Sequence, residues 1–263
     1  MTELRFVQVD AFADRPFGGN PAAVMPLETW LPEETMQAIA AENNLSETAF
    51  TVVAGDGEAD YELRWFTPAT EVAMCGHATL ASGHVLIGER DVVRFRTRKA
   101  GLLSVARAGA GYALDLPATT MQPVDYDELL DALGIADALV FESTGGVEHT
   151  HIILLDSEDE VRAVRPDFKA LAGIDSMAIV TARGTSADIA SRVFVSAWGI
   201  DEDPVTGSAH AALVPFWAPR LGRDSFTAFQ ASRRGGHMTC RLAGNRVILG
   251  GKCVTVIEGA MRL

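Results

Sequence analysis

The sequence predicts an α+β protein made of two similar lobes, and three features of the chain support this fold class. Short β-prone runs occur along the whole length and alternate with a smaller number of helical segments. Two of those helical segments are apolar on nearly every side, which is typical of a buried helix. The stretches that lead into these two helices also resemble each other, and this indicates a duplicated domain.

Composition and charge narrow the classes of partner. The chain has 263 residues, 48% of them apolar, which is enough for one large domain or two small ones. Its net charge of −13 repels phosphate backbones and anionic lipid, so neither nucleic acid nor a membrane is an expected partner. No apolar run reaches the roughly 18 residues of a membrane span, and the N-terminal stretch carries charges where a signal peptide is apolar. We therefore expect a cytoplasmic protein, and the three widely spaced cysteines fit a reducing compartment.

Local signals predict the elements of the first half. Pro32 suits the first turn of a helix that begins near residue 33, and the pair Asn43 and Asn44 ends it because Asn tolerates the left-handed cap conformation. The run CGHATLASGHVLIG predicts the first of the two buried helices. Alternating or β-prone runs predict strands over residues 5–9, 22–25, 48–54, 60–66, 92–97, 101–107 and 111–116.

The second half follows a stretch that reads as a linker. Residues 116–124 are punctuated by proline and polar in their middle, so we assign residues 1–117 to an N-terminal lobe and 118–263 to a C-terminal lobe. The last strand of the C-terminal lobe is a candidate for packing on the N-terminal lobe. Helices are expected in DYDELLDALGI, in FKALAGI and from about Gly207 onward. Strands are expected over residues 150–155, 177–181, 192–196, 225–229, 237–242, 245–249 and 252–258.

The internal repeat is visible in two segments. LRWFTPATEVAMCGHAT begins at Leu63, and SRVFVSAWGIDEDPVTGSAH begins at Ser191. Each copy reads as strand, turn, glycine, small polar group and apolar helix. The aligned pairs are Arg64 with Arg192, Phe66 with Phe194, Ala69 with Ala197 and, after a three-residue length difference, Gly76-His77-Ala78 with Gly207-Ser208-Ala209.

The two buried helix starts suggest a site for an anion. The first N–H groups of a helix lack intrahelical partners, and the glycines Gly76 and Gly207 allow a ligand to approach them closely. Two such starts, related by a duplication, predict a site for a small carboxylate-bearing molecule between the lobes. The alternative is that each helix is capped by its own turn, with Ser208 as an ordinary cap. We favour a site because His77, Asp203 and Ser208 are polar groups at otherwise apolar helix starts.

A carboxylate in ENNLSETAF raises a second question. Glu47 stands between Ser46 and Thr48, where the chain is about to enter an apolar strand. A buried carboxylate is costly unless it is paired or used. Either Glu47 faces solvent at a strand edge, or a pocket holds it for chemistry.

Four motifs, in order along the chain, resemble the PhzF-type phenazine-biosynthesis family, which belongs to the diaminopimelate epimerase fold group. They are VDAFADRPFGGNPAAV, ENNLSETAF, RWFTPATEVAMCGHAT and GIDEDPVTGSA. The resemblance spans nearly the whole chain. It implies that each lobe is a curved, mostly antiparallel sheet or barrel around a central helix, with an active site between the lobes, and it implies a homodimer.

The family resemblance also implies an activity and its residues. The PhzF member isomerises dihydro-hydroxyanthranilate by moving a proton, without a metal or organic cofactor. By resemblance, Glu47 is the catalytic proton shuttle and His77 and Asp203 are catalytic partners. Substrate-binding roles fall on the remaining motif positions, which are Ser208, Gly76, Gly207, Asn20 and Ser46.

Two other readings stay open. In the epimerase branch of the fold a cysteine precedes the glycine in both copies, whereas this chain has Cys75 in the first copy and Thr206 in the second. A Cys75-dependent epimerase, racemase or dehydratase is therefore the first alternative, and a non-catalytic carboxylate-binding protein is the second. The tail has Gln230-Ala231 where the family usually has Gln-Gly, which leaves the substrate open.

Three further polar residues or groups receive weaker interpretations. His149 and His151 share one face of a predicted strand and are candidates for a metal. With no third ligand nearby in the sequence, we expect exposed strand histidines and no metal site. The Arg233-Arg234 turn is expected to be solvated.

Overall fold

A computed structural model describes residues 2–55, 57–145 and 148–263. The chain forms two compact units. The first unit contains the residues up to Leu116 together with Gly250–Leu263, and the second contains Pro117–Leu249. The sequence analysis had assigned the last strand to the second lobe. That strand belongs to the first unit because it pairs along its length with the first strand of the chain.

Elements are numbered along the chain. The first unit has two helices, α1 (Glu33–Asn43) and α2 (Gly76–Leu86), among its described residues. Asn44 follows α1 with φ 48°, the left-handed cap that the asparagine pair predicts. The strands of this unit are β1 (Glu3–Ala11), β2 (Asn20–Leu27), β3 (Glu47–Val53), β4 (Tyr61–Phe66), β5 (Glu71–Val72), β6 (Val92–Thr97), β7 (Leu102–Ala108), β8 (Gly111–Pro117) and β18 (Cys253–Arg262).

The sheet of the first unit runs in the order β18, β1, β2, β3, β4, β6, β7 and β8, with β5 also paired to β4. All of these pairs are antiparallel except β2–β3 and β4–β6. Helix α2 packs against β1, β2, β3 and β7. A Cβ atom at Gly83 would lie 2.4 Å from a methyl group of Val105 on β7, so glycine is what permits this close approach.

The second unit has a matching set of elements. Its helices are α3 (Asp127–Leu133), α4 (Glu158–Ala163), α5 (Phe168–Leu171) and α6 (Gly207–Leu221), and a 3-10 turn covers Ser196–Trp198. Its strands are β9 (Met121–Val124), β10 (Leu139–Ser143), β11 (Thr150–Leu154), β12 (Met177–Arg183), β13 (Ile189–Val195), β14 (Ile200–Asp203), β15 (Ser225–Gln230), β16 (Gly236–Ala243) and β17 (Arg246–Gly251).

Strand order shows that the second unit repeats the first. Its sheet runs β9, β10, β11, β12, β13, β15 and β16, with β14 also paired to β13. The two parallel pairs, β11–β12 and β13–β15, correspond to β2–β3 and β4–β6. Each unit also places its apolar helix, α2 or α6, directly after the short strand β5 or β14. The two-lobed α+β fold class predicted from the sequence is confirmed.

The aligned arginines have the same surroundings in both units. The guanidinium of Arg64 donates two hydrogen bonds to Glu71, at 2.8 and 2.7 Å. Arg192 donates two hydrogen bonds to Glu202, at 2.7 and 2.9 Å. In each copy the guanidinium also lies over the phenylalanine ring two residues further on. A largely buried guanidinium needs such a two-oxygen partner, and the short strands β5 and β14 supply it.

Part of the predicted linker is a strand, and four other elements were not predicted. Residues 121–124 form β9, which pairs with β10 as an edge strand. Its exposed positions, Gln122 and Pro123, hide the alternation that normally marks a strand. The strands β5, β10 and β14 and the helix α4 were not predicted. Of the helices in the described ranges, none is long and apolar enough to cross a membrane.

Candidate active site

Three elements of the first unit bring polar groups together. Asn20 is the first residue of β2 and Glu47 is the first residue of β3. These two strands are parallel, with Ala22 opposite Glu47, so their starts lie at the same edge of the sheet. Helix α2 packs against both strands, and its second residue is His77. The predicted residues Asn20, Glu47 and His77 therefore meet in space although they are far apart in the sequence.

The geometry of this group centres on the His77 ring. Glu47 Oε2 lies 3.0 Å from His77 Nε2, and the two side chains are only 13% and 3% exposed. On the other side of the ring, Asn20 Nδ2 lies 3.0 Å from His77 Nδ1. Asn20 itself is fully buried. Glu47 is thus largely buried beside His77 and is not a solvent-exposed carboxylate.

The hydrogen bond from Asn20 selects one tautomer of His77. The amide nitrogen of Asn20 donates, so Nδ1 accepts, and the proton of the neutral ring lies on Nε2. That N–H group is the one beside Glu47. Glu47 Oε2 is 3.0 Å from His77 Nε2, but the two groups are not aligned well enough to form a hydrogen bond. The carboxylate therefore lies beside a donor group without a well-aligned hydrogen bond to it.

Cys75 lies at the edge of the same group. It occupies the N-cap position of α2, is buried, and has its Sγ atom 3.5 Å from His77 Nδ1. The ligand-type atoms of Glu47, Cys75 and His77 all lie within 4.8 Å of one another, as a metal site requires. Both ring nitrogens of His77 already have a close polar neighbour, however.

The second unit contains a different group at the start of α6. Asp203 ends β14 and is buried, and Thr206 occupies the N-cap position. The Thr206 hydroxyl donates a hydrogen bond to Asp203 Oδ2. Gly207 and Ser208 are the first and second residues of the helix, and Ser208 is half-buried. Ser208 therefore sits inside the first turn and is not the N-cap residue.

Gln230 is a residue of this second group that the sequence analysis did not select. It is the last residue of β15 and is fully buried. Its carbonyl oxygen accepts from the Thr206 backbone N–H at 2.8 Å. Its amide nitrogen donates to the Asp203 backbone carbonyl at 2.8 Å and to the Thr206 hydroxyl at 3.1 Å. Three bonds thus hold the turn that carries Asp203, and the dipeptide Gln230-Ala231 was the available signal.

The two helix starts correspond in position but differ in chemistry. Cys75 and His77 of α2 have Thr206 and Ser208 as their counterparts in α6. In the described parts of the chain, neither N-cap side chain hydrogen-bonds to its own helix start. Gly76 and Gly207 are buried first residues, and Ser46 is half-buried beside Glu47.

The prediction for His149 and His151 was partly wrong. His149 is exposed but precedes β11, whereas His151 lies within β11 and is buried. A third group is also present, because Glu142 on β10 is paired with His151 across the sheet. Because strand β10 was not predicted, Glu142 was not expected beside His151.

Comparison with solved structures defines the class of protein. The crystal structure of a PhzF-family phenazine biosynthesis protein from Enterococcus faecalis matches with a TM-score of 0.89 and 42% identity, and the match covers 100% of both chains. A hydroxyproline epimerase from Agrobacterium vitis matches with a TM-score of 0.63 over 98% of this chain and 92% of that one. Its identity is 15%, so this second likeness concerns the fold alone. The fold is the epimerase-like one.

Sequence comparison then gives the family. The PhzC-PhzF family, described as phenazine biosynthesis-like protein, matches residues 9–259, and the chain belongs to this family. Two relatives from Pseudomonas aeruginosa, both named as uncharacterized isomerases, are 49% and 51% identical to it. Each match covers 99% of this chain, and covers 100% and 99% of the respective relatives.

Proposed function

We propose that this protein is an isomerase that moves a proton within a small amino or hydroxy carboxylic acid, with Glu47 as the proton shuttle. The observation that carries the proposal is the buried Glu47–His77–Asn20 arrangement. A largely buried carboxylate beside a neutral imidazole N–H is positioned both to accept a proton and to be stabilised after releasing it. The relatives named as isomerases support the reaction class.

In the proposed reaction the Glu47 carboxylate removes a proton from a substrate carbon. The C–H bond breaks, an O–H bond forms on Glu47, and the electron pair of the C–H bond is delocalised into the conjugated system of the substrate. The O–H bond on Glu47 then breaks, and the proton returns to a different carbon. The product is an isomer of the substrate, because no atom is gained or lost. The proposed steps use no metal and no organic cofactor.

His77 assists the shuttle through its Nε2–H. Because Asn20 occupies Nδ1, the ring presents a donor to Glu47 whenever the carboxylate is negatively charged. Asn20 is then a positioning residue for the imidazole. Its proposed role differs from the direct substrate contact that the family resemblance implied.

The remaining proposed roles rest on the family resemblance and on the helix starts. The backbone N–H groups at Gly76 and Gly207 are proposed to bind the substrate carboxylate or a developing oxyanion. Asp203, oriented by Thr206 and Gln230, is proposed to hold or deliver a second proton. Ser208 and Ser46 are proposed to contact the substrate.

One observation favours a second candidate function. Cys75 lies 3.5 Å from the His77 ring, within reach of a thiol–imidazole pair of the kind that activates cysteine. A Cys75-dependent epimerase would use that thiol as its acid or base. The counterpart of Cys75 in α6 is Thr206, so an epimerase with two thiols is not supported.

Exchange of substrate protons with solvent tests the proposal. The experiment compares four proteins, which are wild type, Glu47→Gln, Cys75→Ala and the control Glu42→Gln. Each is offered dihydro-hydroxyanthranilate and a panel of amino and hydroxy acids in D₂O, and proton NMR measures the entry of deuterium into the substrate. Glu42 is an exposed glutamate on α1, so it controls for the loss of one negative charge. We expect Glu47→Gln to lower the rate by about 100-fold or more, the scale of lost acid–base catalysis. Equal rates in Glu47→Gln and Glu42→Gln would refute the role of Glu47, and loss through Cys75→Ala alone would establish the thiol mechanism.

A further inference from the structure

A second polar group lies in the second unit, away from the residues proposed for catalysis. Glu142 on β10 pairs with His151 on β11, and His149 immediately precedes β11. The ligand-type atoms of these three residues all lie within 4.8 Å of one another. His149 Nε2 and Glu142 Oε2 are 3.9 Å apart. Two imidazoles and a carboxylate thus converge where two antiparallel strands meet.

The buried member of this group is already oriented as a ligand. His151 Nδ1 lies 2.7 Å from Ser176 Oγ. The Ser176 hydroxyl has two backbone carbonyl acceptors for its proton, His149 at 3.3 Å and Met177 at 3.4 Å, which leaves its oxygen able to accept from the Nδ1–H of His151. The neutral ring therefore carries a lone pair on Nε2. Metal-binding histidines characteristically have their second ring nitrogen fixed by such an outer hydrogen bond.

The spacing is close to that of a transition-metal site, and an ion has an entry path. Ligand atoms about 2.0–2.1 Å from a tetrahedral ion are about 3.3 Å from one another. The His149 Nε2–Glu142 Oε2 separation is 3.9 Å, and all three ligand-type atoms lie within 4.8 Å of one another. The His149 side chain is 53% exposed and that of Glu142 is 29% exposed, so both can adjust and both are accessible from solvent.

We infer that Glu142, His149 and His151 form a binding site for a divalent transition-metal ion of the Zn²⁺ type. Two imidazoles and one carboxylate suit such an ion better than Mg²⁺ or Ca²⁺, which prefer oxygen ligands. Water completes the coordination. A bound ion would link β10 to the start of β11 and so stabilise the strand pair.

The duplicated topology places this site on the face of the sheet away from α6. His151 of β11 pairs with Ala178 of the parallel strand β12, as Ala23 of β2 pairs with Thr48 of the parallel strand β3. His151 therefore corresponds to Ala23 of the first unit. Successive residues of a strand point to opposite faces of the sheet. Glu47 faces α2, and on the other face the Thr48 hydroxyl accepts a hydrogen bond from Asn43 of α1. His151 accordingly lies against Tyr126 at the start of α3, with ring centroids 4.9 Å apart. The inferred site does not depend on the proposed isomerase activity.

Titration of metal-stripped full-length protein with ZnCl₂ tests the inference. The protein is treated with EDTA, and binding is measured by calorimetry and by the shift in Tm. Wild type should bind Zn²⁺ saturably and unfold at a higher temperature when Zn²⁺ is bound. His149→Ala should weaken binding by at least about tenfold, and Ser176→Ala by about 10- to 100-fold through loss of ring orientation.

Two controls distinguish this site from other zinc ligands in the chain. His237→Ala removes an exposed histidine of the same unit and should leave the affinity unchanged. Cys75→Ser removes a ligand of the Glu47–Cys75–His77 group and should also leave it unchanged. Bound Co²⁺ should show no thiolate charge-transfer band. The inference is overturned if wild type binds no Zn²⁺ saturably, if His149→Ala binds as well as wild type, or if Cys75→Ser abolishes binding.

Discussion

Gln230 is predicted to stabilise the turn before α6 by several kcal/mol. Replacing it with alanine removes the partner of the buried Thr206 N–H and one bond to the Asp203 carbonyl. The Thr206 N–H that loses this partner costs about 1–3 kcal/mol, and the lost bonds to the Asp203 carbonyl and the Thr206 hydroxyl cost about 0.5–1.5 kcal/mol each, so the sum is about 2–6 kcal/mol. A loss of this size is a large fraction of the free energy of unfolding of a typical domain, which is about 5–15 kcal/mol.

Urea unfolding measures this cost. Gln230→Ala should lower the transition midpoint with little change in the m-value, since the surface exposed on unfolding is similar. Gln122→Ala is the matched control, because Gln122 is an exposed glutamine with one hydrogen bond to Glu142. Its free energy of unfolding should lie within about 0.5 kcal/mol of the wild-type value. Equal effects of the two substitutions would refute the reasoning. If Asp203 acts in catalysis, Gln230→Ala should also slow turnover under conditions where it is fully folded.

Two further predictions concern pH and packing. Burial lowers the pKa of His210 from its ordinary 6.5 to about 4, so the unfolded chain binds a proton in this range that the folded chain does not. Stability should therefore fall by up to about 3 kcal/mol as the pH drops from 6.5 through 4, and His210→Gln should flatten that slope in denaturant titrations at several pH values. Gly83→Ala should destabilise by about 1–3 kcal/mol in thermal melts, because the new Cβ meets Val105. Gly55→Ala is its control, with nothing within 4 Å, and a loss as large as that of Gly83→Ala would contradict the packing argument.

The sequence predicted the parts of the fold that local patterns encode. The two apolar helices, the strands β4 and β13 and the correspondence between Arg64 and Arg192 are visible in single segments, and the structure has each of them. The convergence of Glu47 and His77 was expected from motifs, and the parallel pairing of β2 with β3 explains it.

What the sequence did not predict depends on contacts between distant segments. Gln230 binds a turn more than 20 residues earlier, and its departure from the usual Gln-Gly dipeptide marks the position but not the contact. Glu142 lies opposite His151 only because β10 and β11 pair, and β10 was not predicted. Strand β9 is polar because it lies at an edge, so its periodicity resembles that of a linker.

The central claim is that a single carboxylate removes and returns the same proton. Once a substrate has been found, it would be deuterated at the donor carbon and converted in ordinary water by wild type and by Glu47→Gln. If Glu47 is the shuttle, the wild-type product should keep part of the deuterium at the new carbon, because the Glu47 side chain is largely shielded from solvent. It also predicts that Glu47→Gln makes almost no product. Complete loss of the label, together with normal turnover by Glu47→Gln, would contradict the mechanism.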